Sequence, residues 1–226
     1  MEGIGDLCRK HDCLLLLDTV TSLGGVPLYI DDWKVDLSYS CSQKGLSCPP
    51  GLGPFTMGPR AEAKMEARTG KVPNWYLDVS LLNKYWGSDR VYHHTAPVNM
   101  NFGMREALRL LAEEGLDQAW ARHRRNAEAL WTGMESLGLT MHVPYERRLP
   151  TLTTVRIPDG VDGKAFSQYL LNIHGIEVGG GLGSLAGKIW RIGLMGFNST
   201  PENVNRLLNL FETELPKFSG STAAAA

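Results

Sequence analysis

The sequence predicts an α/β protein, on three observations. Residues 14–17 form an uninterrupted aliphatic run behind a short amphipathic segment, and buried parallel strands carry runs of this kind. Strand-like segments recur at 35–40 and 51–57, set apart by loops containing glycine and proline. Beyond about residue 138 short strand-like runs alternate with helical ones, the pattern of a small α+β domain with an antiparallel sheet. The boundary between the two patterns is expected near residues 114–117.

Taken in order, residues 3–12 read as a short helix with Ile4, Leu7 and Cys8 on one face. Residues 13–17 read as a fully buried strand, 35–40 as the next, and 51–57 as another after the Pro49-Pro50-Gly51 turn. Helices are expected over 59–69, where Pro59 suits a first turn, and over 79–86. Met104, Leu108 and Leu111 share a face in a helix over 101–114, stopped by Gly115; another helix spans 116–137, ended by Gly138. Strands are expected at 139–143, 151–157, 175–178 and 188–194, with a helix over 162–173. The last helix, 201–215, has Thr200 as its cap and Pro201 at its first position. Residues 219–226 have no core-forming pattern and read as a disordered tail or an expression scar.

Composition narrows the function classes. Across 226 residues, 43% are hydrophobic and 21% charged, and the formal net charge is −1. No global field favours nucleic acid or an anionic membrane surface. No apolar run approaches the roughly 20 residues of a membrane helix, and no leader-like segment opens the chain. Cys8, Cys13, Cys41 and Cys48 form no C-x-x-C pair, so reduced thiols inside a cell are expected.

Lys44 ends the run Tyr39-Ser40-Cys41-Ser42-Gln43-Lys44, small and polar in character. A lysine there is either an ordinary solvated side chain or a candidate Schiff-base nucleophile, and Gly45 would permit close backbone approach. Asp18 closes the aliphatic run. It could cap a turn, or it could hold the protonated ring nitrogen of pyridoxal phosphate, since ligands of open α/β sheets bind at the carboxyl ends of strands. Val20 could pack under a flat ring or simply belong to the core.

The segments Asp18-Thr19-Val20-Thr21-Ser22-Leu23-Gly24-Gly25 and Tyr39 to Lys44 resemble the class V aminotransferases of fold type I. The likeness continues through NKYWGSDRVYHHT at 83–95, LPTLTTV at 149–155 and GGGLGSLAGKIWRIGLMG at 179–196. Ordered segments of this kind are more specific than any single motif. The resemblance implies that residues 1–115 are the C-terminal part of a pyridoxal-phosphate-binding large domain with a mainly parallel sheet, and 116–218 a small α+β domain. It implies Lys44 as the catalytic lysine, Asp18 as partner of the ring nitrogen, Val20 against the ring and Gln43 as a cofactor contact. Tyr92 and Thr95 would reach the cofactor phosphate of the other subunit of a homodimer, and Arg191 would clamp the substrate carboxylate. On the residues alone, Arg191 could be a surface ion pair and Tyr92 and Thr95 loop residues. The implied activity moves an amino group from alanine or serine to glyoxylate or pyruvate, with small amino acids and 2-oxoacids as partners, in a peroxisome or mitochondrion.

Other readings are weaker. His93-His94 lacks a third ligand, so no metal is expected. Gly181-x-Gly183 with Ala186 mimics a dinucleotide fingerprint, but no helix of the right length follows, so a tight loop near the substrate carboxylate is expected. Another class V activity, that of a desulfurase or a kynureninase-like lyase, is the rival within the family, and a desulfurase would need Cys41 or Cys48 on a mobile loop. No glycine turn for the phosphate and no ring-stacking aromatic can be found before Asp18. The chain is therefore expected to be the C-terminal portion of such an enzyme, poorly stable alone and of little activity; a non-catalytic interaction protein is the alternative.

Overall fold

The computed structural model describes residues 1–220, so from residue 221 on the expected tail lies outside the described residues. The chain forms two compact units. The first comprises Met1–Thr19, Tyr29–Ser42 and Pro49–Glu106; the second comprises Val20–Leu28, Gln43–Cys48 and the chain from Ala107 onward. Contacts thus divide the chain differently from the sequential boundary expected near 114–117, and the division falls inside a helix.

The first unit opens with α1 (Ile4–Lys10), which has Asp6 in its first turn and Arg9 and Lys10 in its last, charges that suit the helix dipole. Strands β1 (Leu16–Asp18), β2 (Leu37–Tyr39) and β3 (Phe55–Met57) make a three-stranded sheet in that order. β1 and β2 run parallel with Asp18 opposite Tyr39, and β3 returns antiparallel with Phe55 opposite Tyr39. Buried Asp36 ties the sheet to its surroundings: its carboxylate accepts from the Leu15 amide at 2.8 Å and from Arg60 at 3.0 Å. Helices α2 (Pro59–Glu66), α3 (Val79–Trp86) and α4 (Val98–Glu114) follow. α3 is capped by Asp78, which accepts from the Ser80 amide at 3.0 Å.

The strand expected to be fully buried over 13–17 is shorter and more exposed. β1 begins at Leu16, which is 56% exposed, and Leu14, Leu15 and Leu17 are only partly buried. The physical reason is position: β1 lies at the end of the strand order, with one strand neighbour among the described residues.

The second unit continues with α5 (Leu116–Ser136), β4 (Leu152–Arg156), α6 (Gly163–His174), β5 (Gly179–Gly180), β6 (Ile189–Gly193) and α7 (Pro201–Glu214). Its sheet has the order β4-β6-β5, all antiparallel. Trp190 of β6, Phe166 of α6 and Phe211 of α7 pack edge to face with ring centroids 5.0–5.6 Å apart. Around them Leu130, Met134, Val155, Leu170, Val204 and Leu207 complete a buried core. Trp131 is buried beside it, and its indole nitrogen donates to Thr153 Oγ1 at 2.8 Å.

Two expected strands of this unit are displaced. Residues 139–143 make a single bridge, Met141 to Val155, because Pro144 lacks an amide hydrogen and opens a turn of 3₁₀ helix, Tyr145–Arg147. Residues 175–178 give way to Gly179–Gly180, because the amides of Gly175 and Ile176 are occupied in capping α6 at 3.0 Å each. The helix expected from 101 starts at Val98. Thr200 caps α7 as expected, accepting from the Asn203 amide at 3.2 Å.

Candidate active site

The expected site residues are shared between the units. Asp18, Tyr92 and Thr95 lie in the first; Val20, Gln43, Lys44 and Arg191 lie in the second.

In the first unit Asp18 ends β1 with its side chain exposed, at the carboxyl end of a parallel strand. The Tyr39 hydroxyl donates to Asp18 Oδ2 at 2.6 Å. That bond, with the carboxylate's charge, raises the Tyr39 hydroxyl above its ordinary value of 10.0. Beneath them Thr19 is buried: its hydroxyl donates to the Tyr39 carbonyl at 2.7 Å and its carbonyl accepts from Ser40 at 3.0 Å. The strand end that presents Asp18 is therefore pinned by small polar residues. Tyr92 and Thr95 are exposed, with their hydroxyls 2.9 Å apart. Between them His93 is buried, stacked on Trp75 at 3.9 Å, with Nδ1 at 2.9 Å from His94 Nδ1. Among the described residues no group of three His, Cys, Asp or Glu could hold a metal ion.

In the second unit Lys44 sits in a bend, half-buried, and its carbonyl accepts from the Ser47 amide at 2.9 Å. Gly45 must be glycine: a Cβ there would stand 2.2 Å from the Leu23 carbonyl oxygen. Gln43 is exposed and Val20 half-buried. Arg191 lies on β6 between Thr154 of β4 and Gly179 of β5. Its Nε donates to the Gly180 carbonyl at 2.6 Å, while its two Nη groups make no hydrogen bond among the described residues. A guanidinium held by one nitrogen with its fork open is suited to a carboxylate. The 180–187 stretch is a short strand end and a turn of 3₁₀ helix, Gly183–Leu185, in place of a nucleotide-binding helix. Cys48 is 5% exposed and Cys41 half-buried, so neither is displayed as a nucleophile.

Several groups near these residues carry little signal in the sequence. Tyr39 was visible only as part of a motif, since its pairing with Asp18 depends on strand register. His123, Arg122 and Asn126 of α5 carried no signal, because polar residues within an amphipathic helix read as a solvated or core position. His123 is buried; Nδ1 donates to the Ala119 carbonyl at 2.7 Å and Nε2 accepts from the Gly196 amide at 2.8 Å. Burial pushes its imidazole below the ordinary value of 6.5. Arg122 beside Glu114 holds that carboxyl below its usual range.

Asp18 at the end of a parallel strand in the first unit, and Lys44 and Arg191 in the second, are the groups expected of a fold type I transferase. The sequence model of the aminotransferase class-V family matches residues 1–207, and the chain belongs to that family. It is 46% identical to the alanine–glyoxylate aminotransferase of Oryctolagus cuniculus over 211 residues, 92% of this chain and 54% of that protein. It is 36% identical to the (S)-ureidoglycine–glyoxylate transaminase of Bacillus subtilis, covering 99% of this chain and 58% of the relative. The crystal structure of an alanine–glyoxylate aminotransferase from Nostoc sp. superposes with a TM-score of 0.92 at 64% identity, covering 93% of this chain and 56% of that one. The α/β architecture is that of the fold type I aminotransferases. The chain spans about half the length of the curated relatives it matches.

Proposed function

We propose that this chain supplies the lysine, the ring-nitrogen partner and the carboxylate clamp of a pyridoxal-phosphate-dependent aminotransferase. The enzyme would move an amino group from alanine or serine to glyoxylate or pyruvate. The observation that carries this reading is the identity to alanine–glyoxylate aminotransferases along more than nine-tenths of the chain.

The donor set fits the cofactor: an amine on a half-buried bend, a carboxylate at a strand end and paired hydroxyls at Tyr92 and Thr95. When bound, pyridoxal phosphate supplies an electron sink for the pair left at the substrate's α-carbon. Lys44 Nζ takes the α-proton and returns it, acting as general base and acid. Asp18 would hold a proton on the ring nitrogen, Val20 would pack against the ring and Gln43 would contact the cofactor. Arg191 receives the substrate carboxylate through its open Nη groups, which orients the α-carbon for proton transfer. Tyr92 and Thr95 would donate to the phosphate held by a partner subunit of a homodimer. In domain terms, residues 1–115 would belong to the cofactor-binding large domain and 116–218 to the small one. The compartment we propose is a peroxisome or mitochondrion.

The test is spectroscopic and kinetic. Purified chain mixed with pyridoxal phosphate should show an absorption band near the visible edge that borohydride removes, and Lys44→Ala should lack it. Turnover of alanine with glyoxylate by the 226-residue chain alone is expected to be small. A Lys44→Ala protein that keeps the band sinks the reading, and a wild-type chain without the band favours the non-catalytic alternative.

A further inference from the structure

The bend carrying Lys44 is braced from outside. A Cβ on Gly196, in the loop after β6, would stand 1.9 Å from Ser47 Oγ and 3.0 Å from the Gly45 carbonyl oxygen. Gly196 has φ 56°, which favours glycine independently of the crowding. Next to it the Phe197 amide donates to Ser47 Oγ at 2.8 Å. The Gly196 loop therefore rests on the short Ser47 side chain and on the Gly45 carbonyl, which leaves little freedom to absorb a displacement.

The loop is itself gripped by α5. His123 Nε2 accepts from the Gly196 amide at 2.8 Å, while Arg122 Nη1 donates to the Gly196 carbonyl at 2.8 Å and to the Ser199 carbonyl at 2.9 Å. Asn126 Nδ2 adds a bond to the Ser199 carbonyl at 2.7 Å. Glu114 neutralises Arg122 through bonds of 2.6 and 2.8 Å, fixing the plane of the guanidinium. Both polar backbone groups of Gly196 are thus held by consecutive residues of one helix. The strand feeding this loop, β6, carries Arg191.

We propose that His123 and Arg122 are positioning residues for Lys44, holding the Gly196 loop as the seat on which the lysine bend rests. The role rests on the aminotransferase reading of Lys44. Because the same loop continues from the strand of Arg191, the seat sets the lysine amine and the carboxylate clamp in one register. Misplacement of a reacting group by about 1 Å can cost on the order of a hundredfold in rate, so such a seat has leverage far from the chemistry.

Three variants test this: Ser47→Ala, His123→Leu, and His123→Gln, whose amide oxygen can replace the Nε2 acceptor. The readout is the rate at which dilute acetic anhydride acetylates Lys44 relative to the other lysines, measured by peptide mass spectrometry on folded protein. Ser47→Ala and His123→Leu should change that ratio by roughly threefold or more, as local opening becomes easier. His123→Gln should restore it. An unchanged ratio in folded Ser47→Ala and His123→Leu proteins overturns the proposal. If His123→Leu does not fold, Ser47→Ala decides alone, since it removes a single exposed hydroxyl. The cofactor band tests the other reading separately. A wild-type chain without the band favours the non-catalytic reading, while the acetylation ratio still decides whether the seat exists.

Discussion

His123 uses both ring nitrogens, one as donor and one as acceptor, which only a neutral imidazole can do. The charged groups nearest in effect are Arg122, which opposes protonation, and Glu114, which favours it; burial outweighs both. The folded-state value is depressed, so the unfolded chain binds the extra proton first as pH falls. The contribution to stability is full above about 6.5, the unfolded value, and is lost as pH drops through the folded value. Thermal unfolding between neutral pH and pH 5 should therefore show a decline that His123→Gln lessens; an unaltered pH profile in that variant would contradict the assignment. At Asp18 the corresponding group is Tyr39, whose hydroxyl is held neutral by the carboxylate. Tyr39→Phe should remove a step lying above 10.0 from the alkaline ultraviolet titration, and loss of a step at the ordinary value instead would separate Tyr39 from Asp18.

Helix ends and core faces act through local energetics. Thr200 accepts from the Asn203 amide and Pro201 occupies the first turn of α7, so the helix starts where its sequence says. Thr200→Ala should lower stability by about 1 kcal/mol, read from the urea midpoint. Phe166 is fully buried against Trp190, Phe211 and Phe218. Phe166→Ala should cost about 3–5 kcal/mol, because the transfer of the ring and the cavity left behind add together. A loss under about 1 kcal/mol would mean that the rings around it collapse into the space.

Across the molecule, apolar surface is distributed unevenly. On the first unit's sheet, Leu16, Tyr39 and Phe55 share a face with Asp18 and are 56%, 38% and 48% exposed. Exposed apolar surface on a sheet with an open edge favours association. The purified chain should scatter light increasingly with concentration, and Leu16→Thr with Phe55→Thr should reduce the scattering without altering helical circular dichroism. Scattering equal to wild type in the double variant would place the contact elsewhere. Among the described residues no helix is long and apolar enough to cross a membrane.

What the sequence determined by itself is what depends on neighbours along the chain. The span of α3 and the cap of α7 follow from periodicity, proline and side-chain oxygens acting over a few residues. The family of the chain was also legible, because its motifs around Asp18, Lys44 and Arg191 stand in order. Tertiary structure alone decided the rest. Strand register set Tyr39 against Asp18, and the end position of β1 left its aliphatic run partly uncovered. Folding also took the lysine bend at 43–48 out of its sequential neighbourhood and into the unit of Arg191 and His123. Those outcomes depend on contacts between residues far apart in the chain, and no local propensity encodes which distant backbone a glycine will meet.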